Sequence, residues 1–215
     1  MVEFRVRTVS NRSDPDLMTD MHRLRYRVFK QRLDWEVAVS GDMEIDKYDI
    51  LDPIYLALVG PAGKLFGAVR FLPTTGPNML ADTFSVLLNG NPPPRAPDIW
   101  DCSRLCIDTD AAAAVSEGGL RLATHTLIAG IAEWGHGCGI TELVAATDLH
   151  VERILRRAGC RVERIGPPVM LGKVMSVACR FEVSARSVAE TKAAGGLPDL
   201  PILEFYPNEP LRKRA

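Results

Sequence analysis

No stretch of about eighteen apolar residues occurs in the 215-residue chain, so a membrane-spanning helix is not expected. The opening residues, MVEFRVRTVSNRSD, lack the apolar core of a secretory leader, and a cytoplasmic location is the expectation. Cysteine is sparse. Cys102, Cys106, Cys138, Cys160 and Cys179 make an odd number without a CxxC pair, which argues against a disulfide framework and a zinc knuckle and leaves reduced core thiols. Charge of one sign is also missing: 26 Lys+Arg face 27 Asp+Glu, which gives no sequence-wide reason to expect nucleic acid as a partner. Internal repeats and low-complexity blocks are absent. His125, His136 and His150 fall at no metal-ligand spacing, and no metal is expected.

What is present is a 47% hydrophobic composition, enough for one core in a domain of this length, and no linker divides residues 1–215. Short apolar strands alternate with amphipathic helices. Strands are expected at 3–9, 54–60, 65–73, 99–107 and 142–146, with a strand pair near 161–182. Pro61-Ala62-Gly63-Lys64 fits a tight hairpin turn between the second and third of these. Leu17, Met21, Leu24 and Val28 recur at helical spacing over 16–32, and further helices are expected near 82–88, 117–134 and 149–158, the last closed by Gly159. A helical or frayed segment ends the chain. This order implies an α/β (α+β) fold, a single mixed sheet with helices on both faces.

One stretch stands out. GDMEIDKYDILDP, residues 41–53, carries Asp42, Glu44, Asp46, Asp49 and Asp52. A calcium loop starting at Asp42 needs glycine at 47 and a bidentate glutamate at 53, and the chain has Lys47 and Pro53. Trp35 and Tyr48 flank the carboxylates, and Arg25 and Arg70 lie at either end of the region. Aromatic faces beside carboxylates suit a bound cation. A solvated loop, or a loop pinned to the sheet by Arg70, is the plainer reading of the same residues.

Arg25-Tyr-Arg-Val-Phe29, Trp35, Asp46-x-x-Asp49, the run Arg70-x-Leu-Pro-Thr-Thr-Gly-Pro-Asn-Met79-Leu80, Phe84 and Trp100-Asp-Cys-Ser103-Arg104 together resemble the acyl-homoserine-lactone synthases, the autoinducer synthases of bacterial quorum sensing. The resemblance runs from about residue 20 to 160. It implies a fold similar to the GCN5-related N-acetyltransferases. It implies a reaction in which the amine of S-adenosylmethionine is acylated from a thioester and its carboxylate then closes a lactone, expelling methylthioadenosine. Both molecules are substrates, so no cofactor is expected. The segment 1–75 would hold S-adenosylmethionine and 76–200 the acyl donor, an acyl carrier protein or coenzyme A thioester. Another N-acyltransferase of this fold, acting on a different amine, is the alternative.

By the same resemblance Arg25, Phe29, Trp35, Phe84 and Arg104 surround S-adenosylmethionine, with Arg25 and Arg104 addressing its carboxylate, while Asp46, Asp49 and Arg70 form a charge cluster. Asp42, Glu44 and Asp52 are taken as solvated. Acylation needs an acceptor for the ammonium proton, and Asp101 is the candidate, one methylene shorter than the glutamate usual in that family. Ser103 is expected to satisfy backbone groups, not to act as a nucleophile. Leu105, Leu122, Val144, Ala146 and Thr147 are expected around the acyl chain, and Met79 and Met175 in the core, with the lining of a long-chain tunnel as the alternative. Residues 109–119, TDAAAAVSEGG, read as a small-residue loop at a helix N-terminus where pantetheine phosphate could approach backbone N–H groups. Arg153, Arg156 and Arg157, with Arg161 and Arg164, offer a basic docking face for an acidic carrier or a solvated helix face.

Overall fold

β1 (Arg5–Val9) lies antiparallel to β4 (Ile54–Val59) at one edge of the main sheet. The computed structural model describes residues 3–10, 12 and 14–204; the end of the expected C-terminal segment, 205–215, lies outside the described residues. Asp14 caps α1 (Pro15–Arg25) by accepting from the Leu17 N–H at 3.0 Å, with Pro15 in the first turn where its missing N–H costs nothing. The helix expected over 16–32 is continuous in space, yet its second half, Tyr26–Arg32, is π-helical. π-helical turns are rare and concentrate at functional sites.

Next come a two-residue hairpin, β2 (Val39–Ser40) with β3 (Met43–Glu44), and then the β4–β5 hairpin, with β5 at Leu65–Pro73. The helix expected at 82–88 is displaced. Asn78 caps a short α2 (Met79–Asp82) by accepting from the Ala81 N–H, and a 3₁₀ turn at Ser85–Leu88 follows. β6 (Ile99–Ile107) leads to α3 (Thr109–Val115) and α4 (Gly119–Gly137). Residues 109–115 are therefore helix, not the expected loop. Gly119 allows α3 and α4 to meet, because a Cβ there would sit 2.3 Å from the Ala112 carbonyl oxygen. β7 (Glu142–Asp148), α5 (Leu149–Arg157), β8 (Val162–Arg164), β9 (Val169–Leu171), β10 (Val174–Glu182) and α6 (Ala185–Gly195) complete the described fold.

The sheet runs β1-β4-β5-β6-β7-β10-β8, with β9 also paired to β10. Alternation along β4 sends Leu56 and Leu58 into a core with Leu127 and Trp134 of α4, and Tyr55, Ala57 and Val59 toward Met21 and Leu24 of α1. Helices thus cover both faces. Two irregularities open the sheet at its centre. β6 and β7 run parallel but pair only at Ile99–Asp101 with Glu142–Val144, so beyond Asp101 the two strands part from each other while each keeps its outer neighbour. On its other side β6 slips register against β5 between Ala68 and Arg70. Arg104 in this stretch has φ 56°, a left-handed conformation costing roughly 1–3 kcal/mol for a non-glycine residue.

Candidate active site

The gap between β6 and β7 is the middle of a cavity of about 770 Å³. Its outer part is bounded by Phe29, Trp35, Met79 and Phe84, its centre by Asp101 and Arg104, and it continues inward past Leu105. The π-helical turn accounts for the aromatic wall. The Trp35 N–H reaches back to the Phe29 carbonyl at 2.9 Å, and the two rings stack 5.4 Å apart at 13°. The Arg104 guanidinium lies 5.5 Å over the Phe29 ring.

Behind this wall three arginines and three carboxylates interlock. Arg25 donates through both terminal nitrogens to Asp49, each at 2.8 Å, and through Nε to Glu44. Arg70 donates to Asp46 at 2.6 Å and to Asp49 at 2.7 Å. Arg104 meets Glu44 at 2.9 Å and Asp46 at 2.7 Å. Tyr55 donates to Asp49, and Arg70 sits 5.5 Å over the Tyr48 ring. Arg25, Arg70 and Glu44 are fully buried. In this setting the bonds from Arg25 and Arg70 outweigh burial and hold Asp49 far below the usual carboxylate range; Asp46 is lowered in the same way by Arg70 and Arg104. Removing any one charge would leave its buried neighbours with fewer counter-charges than they need.

Two expectations change here. Glu44 is not solvated; it bridges Arg25 to Arg104 and was missed because nothing local marks it. Arg25 does not face the cavity. Its guanidinium is spent on Glu44 and Asp49, so it cannot also take a substrate carboxylate. Asp42 and Asp52 are exposed, with Asp42 paired to Arg23 at 2.9 Å.

Asp101 stands on β6 at the last residue paired with β7, buried at 1% exposure. One carboxylate oxygen accepts from the Leu80 N–H at 3.1 Å. The other has no hydrogen-bond partner. Burial pushes the carboxyl up to about 6, against the opposing pull of the Leu80 N–H and Arg70. Ser103 accepts from Arg70 Nε at 3.3 Å, so its hydroxyl helps hold Arg70, and it also acts on the neighbouring Asp101 carboxyl.

Of the residues expected around an acyl chain, Leu105, Ala146 and Thr147 line the inner cavity. Val144 does not, because it packs with Leu80, Leu87, Leu88 and Ala178. Leu122, early on α4, packs against the main core instead. Ile128 and Ala132, about two and three turns further along α4, line the cavity in its place, together with Phe181 of β10. Helical periodicity marks these residues as apolar without telling which turn of α4 meets the gap.

The basic face of α5 is partly consumed. Glu152 takes Arg156 at 2.9 Å and Arg164 at 2.7 Å, and Glu190 takes Arg161 at 2.8 Å. Arg153 and Arg157 are exposed and have no ion-pair partner among the described residues.

The autoinducer synthase family profile matches residues 8–191. An acyl-homoserine-lactone synthase of Agrobacterium fabrum is 40% identical over 178 residues, 83% of this chain and 84% of that protein. The solved acyl-homoserine-lactone synthase LasI superposes with TM-score 0.75 at 35% identity, covering 93% of this chain and 97% of that one. At 23% identity and TM-score 0.85, the CoA-dependent acyl-homoserine lactone synthase BjaI, solved with MTA, shares the fold over 98% of each chain. The fold extends to a putative N-acetyltransferase from Lactobacillus plantarum, TM-score 0.56 at 14% identity over 85% of this chain and 99% of that one. With the ionic cluster, the aromatic wall and the strand gap all carried on the matched residues, the chain belongs to the autoinducer synthase family.

Proposed function

We propose that the chain is an acyl-homoserine-lactone synthase that joins an acyl thioester to S-adenosylmethionine across the β6–β7 gap. The observation that carries this reading is the unpartnered oxygen of buried Asp101 at the wall of the one cavity that also holds Arg104 and the Phe29–Trp35 stack. A cationic nucleotide in the outer cavity would place its sulfonium near aromatic faces. Its ammonium would lie toward Asp101, whose elevated pKa is matched to removing a proton near neutrality.

The amine then attacks the thioester carbonyl carbon. The tetrahedral intermediate collapses with loss of thiolate, which takes up a proton, and an amide remains. In the second step a carboxylate oxygen of the same substrate attacks the carbon γ to the carboxyl group. The carbon–sulfur bond breaks, both electrons go to the sulfonium, and neutral methylthioadenosine leaves. Holding the acylated intermediate folded supplies much of this ring closure. The inner cavity past Leu105 receives the acyl chain.

Arg153 and Arg157 support a carrier-protein donor, since exposed positive charge on α5 would steer an acidic carrier. The test is to incubate the purified protein with S-adenosylmethionine and a panel of acyl carrier protein and coenzyme A thioesters. Lactone and methylthioadenosine are expected in equal amounts. An acylated product without methylthioadenosine would assign the chain to a different N-acyltransferase activity.

A further inference from the structure

Met79 opens α2 and lines the cavity, buried at 4% exposure. Two guanidinium N–H groups from different strands converge on its sulfur, Arg70 Nη2 at 3.0 Å and Arg104 Nη1 at 3.2 Å. A thioether is a weak acceptor, whereas a charged guanidinium donates strongly to carboxylate oxygen. Around the same two arginines the other donors are well matched: Arg70 Nη1 has Asp46 and Asp49, Arg104 Nη2 has Glu44 and Asp46, and Arg104 Nε has Glu44. Arg70 Nη2 gives one hydrogen to Asp46. For its other hydrogen, and for Arg104 Nη1, the acceptor that the protein supplies is the sulfur.

The sulfur also fixes where those donors point. Arg104 projects from a backbone held at φ 56°, and its far side is tied to Glu44 and Asp46. A carboxylate at position 79 would bind both donors and keep them, and an aliphatic side chain would leave them without an acceptor. A thioether holds them convergent and releases the cavity-lining Arg104 Nη1 cheaply to a better acceptor.

We propose that Met79 is a positioning residue for the α-carboxylate of S-adenosylmethionine: its sulfur, anchored from behind by fully buried Arg70, keeps the cavity-lining Arg104 Nη1 aimed at the point where the substrate carboxylate takes it. This rests on the functional reading above. It leaves the carboxylate-binding role with Arg104, which lines the cavity, since Arg25 and Arg70 are buried with their nitrogens filled.

The test compares two ligands that differ only in that carboxylate, S-adenosylmethionine and its decarboxylated analogue, titrated calorimetrically into full-length wild-type and Met79→Leu protein. Leucine conserves volume and removes the acceptor. The expected result is a loss of about tenfold or more in affinity for S-adenosylmethionine with less than about twofold change for the analogue, and an unchanged KM for the acyl donor. Equal losses for both ligands would show mere packing and overturn the proposal, as would no change for either. Arg104→Lys, which keeps a cation and removes Nη1, must show the same carboxylate-selective loss, and supplies the test if Met79→Leu does not fold. Wild-type protein that binds neither ligand and makes no lactone would overturn the functional reading itself; lactone synthesis with a uniform Met79→Leu effect would overturn only the role of Met79.

Discussion

Asp101 has two oxygens in unlike surroundings, one fixed by the Leu80 N–H and one without a partner. The first orients the carboxyl and the second is left for a proton. With the acid pushed up to about 6, kcat/KM is expected to rise with pH through that value and level off above it, measured by lactone formation between pH 5 and 8. Asp101→Asn keeps the acceptor toward Leu80 and removes the proposed base, with an expected fall in kcat of about 10²- to 10⁴-fold. An Asn variant at near wild-type rate would remove Asp101 from the chemistry. Its candidacy was legible in the sequence, because a carboxylate beside Ser103-Arg104 sits in a specific motif. Glu44 was not. Its partners are 19 and 60 positions away, and a glutamate among four aspartates looks solvated until Arg25 and Arg104 fold around it. Glu44→Gln is expected to destabilise the protein by roughly 3–5 kcal/mol, since buried Arg25 and partly buried Arg104 lose a counter-charge. Urea unfolding at neutral pH measures this, and a loss below about 1 kcal/mol, the range of surface ion pairs, would contradict the burial.

At the level of elements, periodicity found most strands and helices and failed where the irregularity is the function. The spacing of Leu17, Met21, Leu24 and Val28 places a helix over 16–32, but apolar spacing does not tell which carbonyl each N–H chooses, so the π-helical half that brings Trp35 to Phe29 was invisible. The three-residue β6–β7 pairing was equally hidden, because both strands read as ordinary apolar runs. The stretch 109–119 misled through its small residues. They serve close packing of α3 on α4, with Ala112 under Gly119. Gly119→Ala is therefore expected to cost about 1–3 kcal/mol by forcing α3 and α4 apart. A lowered urea midpoint with an unchanged slope would report it. An unshifted midpoint would mean that α3 yields freely.

For the whole molecule, the two sets of acids around the site respond to pH with opposite signs. Asp46 and Asp49 are held below the usual carboxylate range by their arginines. Their contribution is present above the unfolded carboxylate pKa and is lost as pH falls through the native values. Asp101 is raised by burial, so its contribution is present below the unfolded pKa and lost as pH rises through about 6. The site thus becomes less favourable to fold as Asp101 ionises. Neutralising Asp101 should relieve this: Asp101→Asn is expected to be more stable than wild type at pH 8 by up to roughly 3 kcal/mol, at 1.36 kcal/mol per pKa unit, with the gap closing toward pH 4. Asp49→Asn should behave in reverse, since it leaves Arg25 and Arg70 short of a charge at pH 8 by about 3–5 kcal/mol and differs least from wild type in acid. Urea unfolding of the three proteins at pH 4, 6 and 8 resolves the Asp101 trend, and a further measurement near pH 2 resolves that of Asp49. Parallel pH profiles for the two variants would mean that Asp101 ionises like the others, and the case for it as a tuned base would fall with that result.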